Sequence, residues 1–211
     1  MKKLRRQFGA KFVSALTRCP TLVADLQAIA EAGIKIRRVG RWCQAFTELS
    51  KKTIYIGSKC SLSYQLVALA HEASHAVYRP TISPLPGETG RQEFIERCLE
   101  DEVEAFVHEA QVVEEMRRAR IYVGKHLLNW YERYKKGGRE AVLCAVRSAP
   151  SSITGDSYPE HYGEWYDAAV KAPFRLPMCS SSSGCCSRSA TPKANSQTDR
   201  TVCNRLGTSF L

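Results

Sequence analysis

The segment His71-Glu72-Ala73-Ser74-His75 constrains this chain more than any other, because its two histidines act together only on a helix. At about 100° per residue, positions i and i+4 project from one helical face roughly one turn apart, which is the reach two imidazoles need to share a Zn²⁺ ion. The intervening Glu72 is placed to hold the water such an ion binds. The flanks favour a helix. The apolar-periodic run from Leu62 to Arg79 follows Ser61, stops before Pro80 and contains neither Gly nor Pro. Leu66, Leu69, Ala70, Ala73 and Val77 share one stripe, whereas His71, Glu72 and His75 fall on the opposite side. The expectation is an amphipathic helix whose histidines face away from the core, which argues against buried structural histidines.

A second periodic run, Gln92 to Arg120, follows the Pro- and Gly-rich loop TISPLPGETG. It carries Glu93, Glu96, Glu100, Asp101, Glu102, Glu104 and Glu109, and only the helical phase separates them. Phe94, Ile95, Cys98, Leu99, Ala105, Phe106, Val112, Val113 and Met116 define the apolar stripe, and Glu102 and Glu109 lie within it while Glu93, Glu96, Glu100 and Glu104 point to a solvated face. A carboxylate on a core-facing stripe is costly unless paired or bound to metal. Glu102 is therefore the candidate third ligand, and Glu109 the alternative ligand or the partner of a histidine.

The chain resembles the zincin metallopeptidases through HEASH, its uncharged flanks and Glu102-Val103-Glu104-Ala105, which fits the ExxA pattern of gluzincin-like members. The metzincin extension is absent, since its Gly and third His positions hold Tyr78 and Thr81. The resemblance spans about Thr53 to Ala105 and implies Zn²⁺ held by His71, His75 and Glu102, with Glu72 as general base in peptide-bond hydrolysis. It also implies that the strand-like TIYIG ahead of the motif helix can align an extended protein or peptide substrate by edge pairing. An oxyanion donor is expected from Tyr158, His161 or Tyr162, the downstream cluster with such groups, although anchoring of the last helix is the other reading of these residues. The short chain, the acidic second helix and the tail are further similar to small metallopeptidase domains of bacterial toxins and secreted effectors.

The remaining segments complete an α+β, mostly helical fold: a small zincin-like domain with a short N-terminal sheet, the HExxH helix and the Glu-bearing helix. Residues 1–20 form a basic amphipathic segment in which Leu4, Phe8, Phe12 and Leu16 recur every fourth position; the reading is one terminal helix capping the domain, with membrane contact or export targeting as the alternatives. Thr21 to Ala32 reads as a helix ended by Gly33, Ile34 to Val39 and Thr53 to Gly57 as strands of a hairpin or short sheet, and residues 121–171 as helices interrupted at Gly137-Gly138 and by a loop from Ser148 to Pro159. The domain is assigned residues 21–177. Residues 178–211 hold eight serines and one aromatic among them, too little apolar surface to order, and read as a disordered tail.

Thirty-one Lys and Arg against 21 Asp and Glu give a net charge of +10. A basic nucleic-acid-binding or interaction module with a structural HExxH helix is therefore the alternative function, its patch being Arg5, Arg6, Lys35, Arg37, Arg38, Arg41, Lys51 and Lys52. The lack of interleaved stacking aromatics argues against a nucleic-acid partner. Nine cysteines without a CxxC pair exclude a zinc finger and cannot all pair as disulfides; Cys19, Cys43, Cys60, Cys98 and Cys144 read as core residues of a reduced fold. No apolar run reaches the roughly 18 residues of a membrane span. Lys11 interrupts what would be a signal-peptide core, so the expectation is a cytoplasmic protein or one exported without a Sec-type signal.

Overall fold

The computed structural model describes residues 1–40, 45–78, 89–150 and 155–171. The chain is mostly helical, with one three-stranded sheet near its N-terminal end. The tail assigned to 178–211 lies outside the described residues, as do Arg41, Cys43 and most of the Pro-rich loop. No described helix is long and apolar enough to cross a membrane.

The N-terminal segment forms two helices rather than one, α1 (Lys2–Phe8) and α2 (Ala10–Leu16). Gly9 separates them at φ 91, a conformation that L-residues with a side chain rarely adopt. The four-residue apolar spacing survives the break, and Leu4, Phe12, Ala15 and Leu16 are all buried in the core. Phe8 stacks on Phe12 at 4.6 Å between ring centroids.

Helix α3 (Pro20–Glu31) begins with proline in its first turn, where no intrahelical donor is needed. The strands β1 (Lys35–Val39), β2 (Ala45–Glu48) and β3 (Thr53–Gly57) make a sheet of order β1-β3-β2. One expectation is corrected here: the TIYIG strand is central rather than an edge, because β2 pairs along its other side. Of the hairpin or short sheet expected from β1 and β3, it is the short sheet that forms, with the two strands parallel. β2 is the strand that runs antiparallel to β3, with Thr47 opposite Ile54 and Phe46 stacked on Tyr55. Four residues ending in Glu48 give too short an alternation to be read as a strand from sequence.

Helix α4 (Leu62–Ala73) is capped by Ser61, whose hydroxyl accepts from the Tyr64 amide. It continues as one π-helical turn, Ser74–Tyr78. α5 (Arg91–Arg118) is the long spine of the molecule. α6 (Lys125–Ser148) follows and is broken at Gly137 and Gly138, where the sequence places the interruption. α7 (Tyr158–Lys171) starts inside the segment expected to be a loop.

Two apolar clusters share α5. The first gathers α1 to α4, the sheet, the end of α5 and the start of α6, through residues such as Leu16, Leu22, Ile54, Leu69 and Met116. The second joins the start of α5 to the end of α6 and α7, through Phe94, Leu99, Val142, Val146 and Tyr162. Glu93, Glu96, Glu100 and Glu104 lie outside both and pair with Arg97, Arg147 and Arg139, as a solvated face should. Cys19, Cys60 and Cys98 are buried free thiols, but Cys144 is exposed, which corrects its reading as a core residue.

Candidate metal centre

The HEASH helix is not amphipathic in the folded chain. Every residue from Ser63 to Ala73 is buried, including His71 at 1% and Glu72 at 3% exposure. The expectation of an outward histidine face fails because α4 is enclosed on several sides, by α3, by β2 and β3, and by α5. What remains of the sequence argument is that both histidines reach the acidic run of α5.

There the donors converge. His71 Nε2 and His75 Nε2 are 3.0 Å apart, His71 Nε2 is 3.6 Å from Glu102 Oε2, and His75 Nε2 is 3.8 Å from Glu102 Oε1. One ligand atom from each of the three residues lies within 4.8 Å of the others. Glu102 Oε2 is buried with no hydrogen-bond partner among the described residues, a costly state for a carboxylate oxygen. A divalent cation at this point would satisfy it together with both imidazoles, and the His₂Glu donor set suits Zn²⁺. The residues present therefore fit the ion that their sequence pattern implies.

The ring of His75 is held by its other nitrogen, Nδ1 hydrogen-bonding Asp101 Oδ2 at 2.9 Å, which fixes the tautomer that leaves Nε2 free to ligate. His71 Nδ1 lies 2.8 Å from Glu109 Oε1, a close charge contact without hydrogen-bond geometry. Glu109 thus sits on the far side of His71 from Glu102. Phe106 packs edge-on to His71, with ring centroids 5.2 Å apart, and Trp130 stacks on Phe106 at 4.0 Å.

Comparison with protein-family models, with curated proteins and with solved structures returns no match to this chain.

Glu72 is anchored from the sheet. The Thr47 hydroxyl donates to Glu72 Oε2 at 2.8 Å, which ties the edge strand β2 to the motif helix. Of the three residues expected to offer an oxyanion donor, Tyr162 reaches the cluster, donating from its hydroxyl to Glu102 Oε1 at 2.6 Å. Tyr158 and His161 pack beside it, with ring centroids 6.2 and 5.4 Å from the Tyr162 ring, in keeping with their anchoring role. Asp101 and Thr47 are contacts the sequence did not single out. Asp101 precedes Glu102 on a helix crowded with acids, and Thr47 lies in the strand too short to recognise.

Protein groups alone shift the titration of the site. Burial pushes His71 below its ordinary 6.5, and the neighbouring His75 adds to this. Burial also opposes the charged form of His75, but the Asp101 hydrogen bond and the carboxylates of Glu102, Asp101 and Glu72 outweigh it and raise His75 to about 9. Burial raises Glu109 to about 8, with His75 and His108 pulling the other way. Burial, followed by the Glu102 charge, holds the Tyr162 hydroxyl well above the usual phenol range, so it stays a donor.

The basic residues lie on elements that touch, β1 meeting α1 through Arg38 and Gln7 and meeting the turn before β3 through the Lys35 amide and the Lys52 carbonyl. Arg5 and Arg6 are on α1, Lys35, Arg37 and Arg38 on β1, and Lys51 and Lys52 in the turn before β3. Arg38 is engaged with the Gln7 and Ser58 carbonyls.

Proposed function

We propose that this chain is a zinc-dependent peptidase in which His71, His75 and Glu102 hold the metal and Glu72 is the general base. The observation that carries the reading is the meeting of both Nε2 atoms with a buried Glu102 oxygen that has no hydrogen-bond partner among the described residues. When bound, zinc would lower the pKa of a coordinated water and polarise the scissile carbonyl.

The protein's own contributions follow from its contacts. Glu72 takes up a proton at its carboxylate and returns it to the leaving amine, and Thr47 fixes the rotamer in which it does so. Asp101 orients His75 through its hydrogen bond, Glu109 sets its charge against His71 Nδ1, and Tyr162 orients Glu102. A cavity of about 190 Å³ lies beside His71 and Glu72, walled by Val67, Ala68, Leu127 and Trp130 together with the polar Glu109 and His126, and has room for a substrate side chain. Among the described strands β2 pairs with β3 alone. Its outer edge, next to Glu72, offers backbone donors and acceptors to an extended peptide, a role that the sequence assigned to TIYIG.

The reading is tested by incubating zinc-loaded protein with an unfolded polypeptide. The chain is expected to cleave it and Glu72→Gln to lose cleavage while keeping metal. Undiminished hydrolysis by Glu72→Gln would remove Glu72 from its role.

A further inference from the structure

A second polar cluster lies outside the three-donor group. Asp25 of α3 is fully buried at 0% exposure, an expensive position for a carboxylate that is not hydrogen-bonded. The Tyr78 hydroxyl donates to Asp25 Oδ1 at 3.0 Å, and His108 Nε2 stands 2.9 and 3.1 Å from the two carboxylate oxygens. The Tyr78 and His108 rings are 5.5 Å apart. Three elements, α3, the π-turn and α5, thus meet on one side chain.

Both partners of Asp25 adjoin the proposed metal site. Tyr78 is the last residue of the π-turn that contains His75, and His108 immediately precedes Glu109, the residue set against His71 Nδ1. In a continuous α-helix, positions 71, 75 and 78 would share one face, being related as i, i+4 and i+7. A turn closed by i→i+5 bonds is more loosely wound, which displaces Tyr78 from that face. Such turns are rare, and this one ends on the hydrogen bond to Asp25. The Tyr78 ring is 47% exposed, so its hydroxyl rather than its packing is what fastens the turn.

We propose that Asp25 is a positioning residue for the metal site. Through Tyr78 it holds the π-turn that sets His75, and through His108 it holds the rotation of α5 that brings Glu109 to His71. The assignment rests on the reading of His71, His75 and Glu102 as metal ligands.

Asp25→Ala would open a fully buried position and endanger folding, so the decisive variant is Tyr78→Phe, which removes one exposed-side oxygen. Co²⁺ is titrated into the chelator-treated full chain, following the visible absorption band of the bound ion, and the unfolding midpoint is measured without metal. Tyr78→Phe is expected to bind cobalt roughly 2- to 30-fold more weakly and to change the shape or intensity of the band, with only a modest fall in the midpoint because His108 still contacts both Asp25 oxygens. Wild-type affinity and band in Tyr78→Phe would overturn the assignment of Asp25 alone. A weaker affinity accompanied by an unchanged band and a large fall in the midpoint would also overturn it, as general loosening. Wild-type protein that takes up neither cobalt nor zinc would overturn the ligand reading and the assignment with it, so the two failures are distinguishable.

Discussion

His75 Nε2 stands 3.0 Å from His71 Nε2, a contact that two imidazoles make favourably only when one proton lies between them. The surroundings say which ring supplies it. Asp101 on Nδ1 and the nearby carboxylates favour a charged His75, while burial keeps His71 neutral with its Nε2 lone pair turned toward its neighbour. A metal ion held by His71, His75 and Glu102 would take the place of this proton, and the same carboxylates would then balance its charge.

Metal-free protein should lose stability as pH rises from about 6.5 to about 9. His75 is raised in the folded state, so its contribution is complete below its ordinary 6.5 and is lost as pH climbs through about 9. Glu109 acts in the same direction, its contribution being complete below 4.5 and lost as pH rises through about 8. His71 is lowered, so its contribution is lost only on the acid side as pH falls below 6.5. Denaturant unfolding at several pH values in the presence of chelator checks the slope; stability rising steadily from pH 6.5 to 9 would contradict it.

The two buried glutamates should separate in their effect on metal. Glu102→Ala removes a ligand and should abolish tight zinc binding, whereas Glu109→Ala and Asp101→Asn remove carboxylates from Nδ1 positions and should weaken it roughly 10- to 100-fold. Competition with a chromophoric chelator measures all three. Emptying of the site by Glu109→Ala, with Glu102→Ala unaffected, would reverse the assignment.

The two key helices and the Glu102 position were legible because both rest on helical phase, which a small error at a helix end does not disturb. His71 and His75 share a face whatever surrounds them, and Glu102 falls on an apolar stripe that only a partner explains. Burial of that face was not legible, since it depends on how α3, α5 and the sheet enclose α4, and periodicity within one helix carries no information about its neighbours. Thr47 and Asp101 were hidden for different reasons. A four-residue strand leaves almost no pattern, and Asp101 is one acid among several on α5 until His75 is placed beside it. The π-turn at Ser74–Tyr78 likewise has no marker in an Ala-rich run free of Gly and Pro.

Thr47→Val should keep metal stoichiometry and fold while lowering kcat about tenfold or more, because Glu72 loses the hydroxyl that orients it. KM should move little. A steady-state comparison on a peptide substrate decides this, and an unchanged kcat would show that Glu72 is oriented without Thr47.

Tyr162→Phe should destabilise the metal-free protein by about 1–3 kcal/mol, since it leaves the buried Glu102 Oε1 without its 2.6 Å donor. Urea unfolding in chelator reads the loss. Saturating zinc should recover part of it by binding the folded state. A variant as stable as the parent would show that the Tyr162 contact is dispensable to Glu102.

Elemental analysis of the protein purified without chelator, run beside His75→Ala, bears most directly on the central claim that His71, His75 and Glu102 form a metal centre. About one zinc per chain is expected in the parent protein and essentially none in His75→Ala. Parent protein carrying no transition metal after zinc is supplied, or His75→Ala carrying as much as the parent, would contradict it.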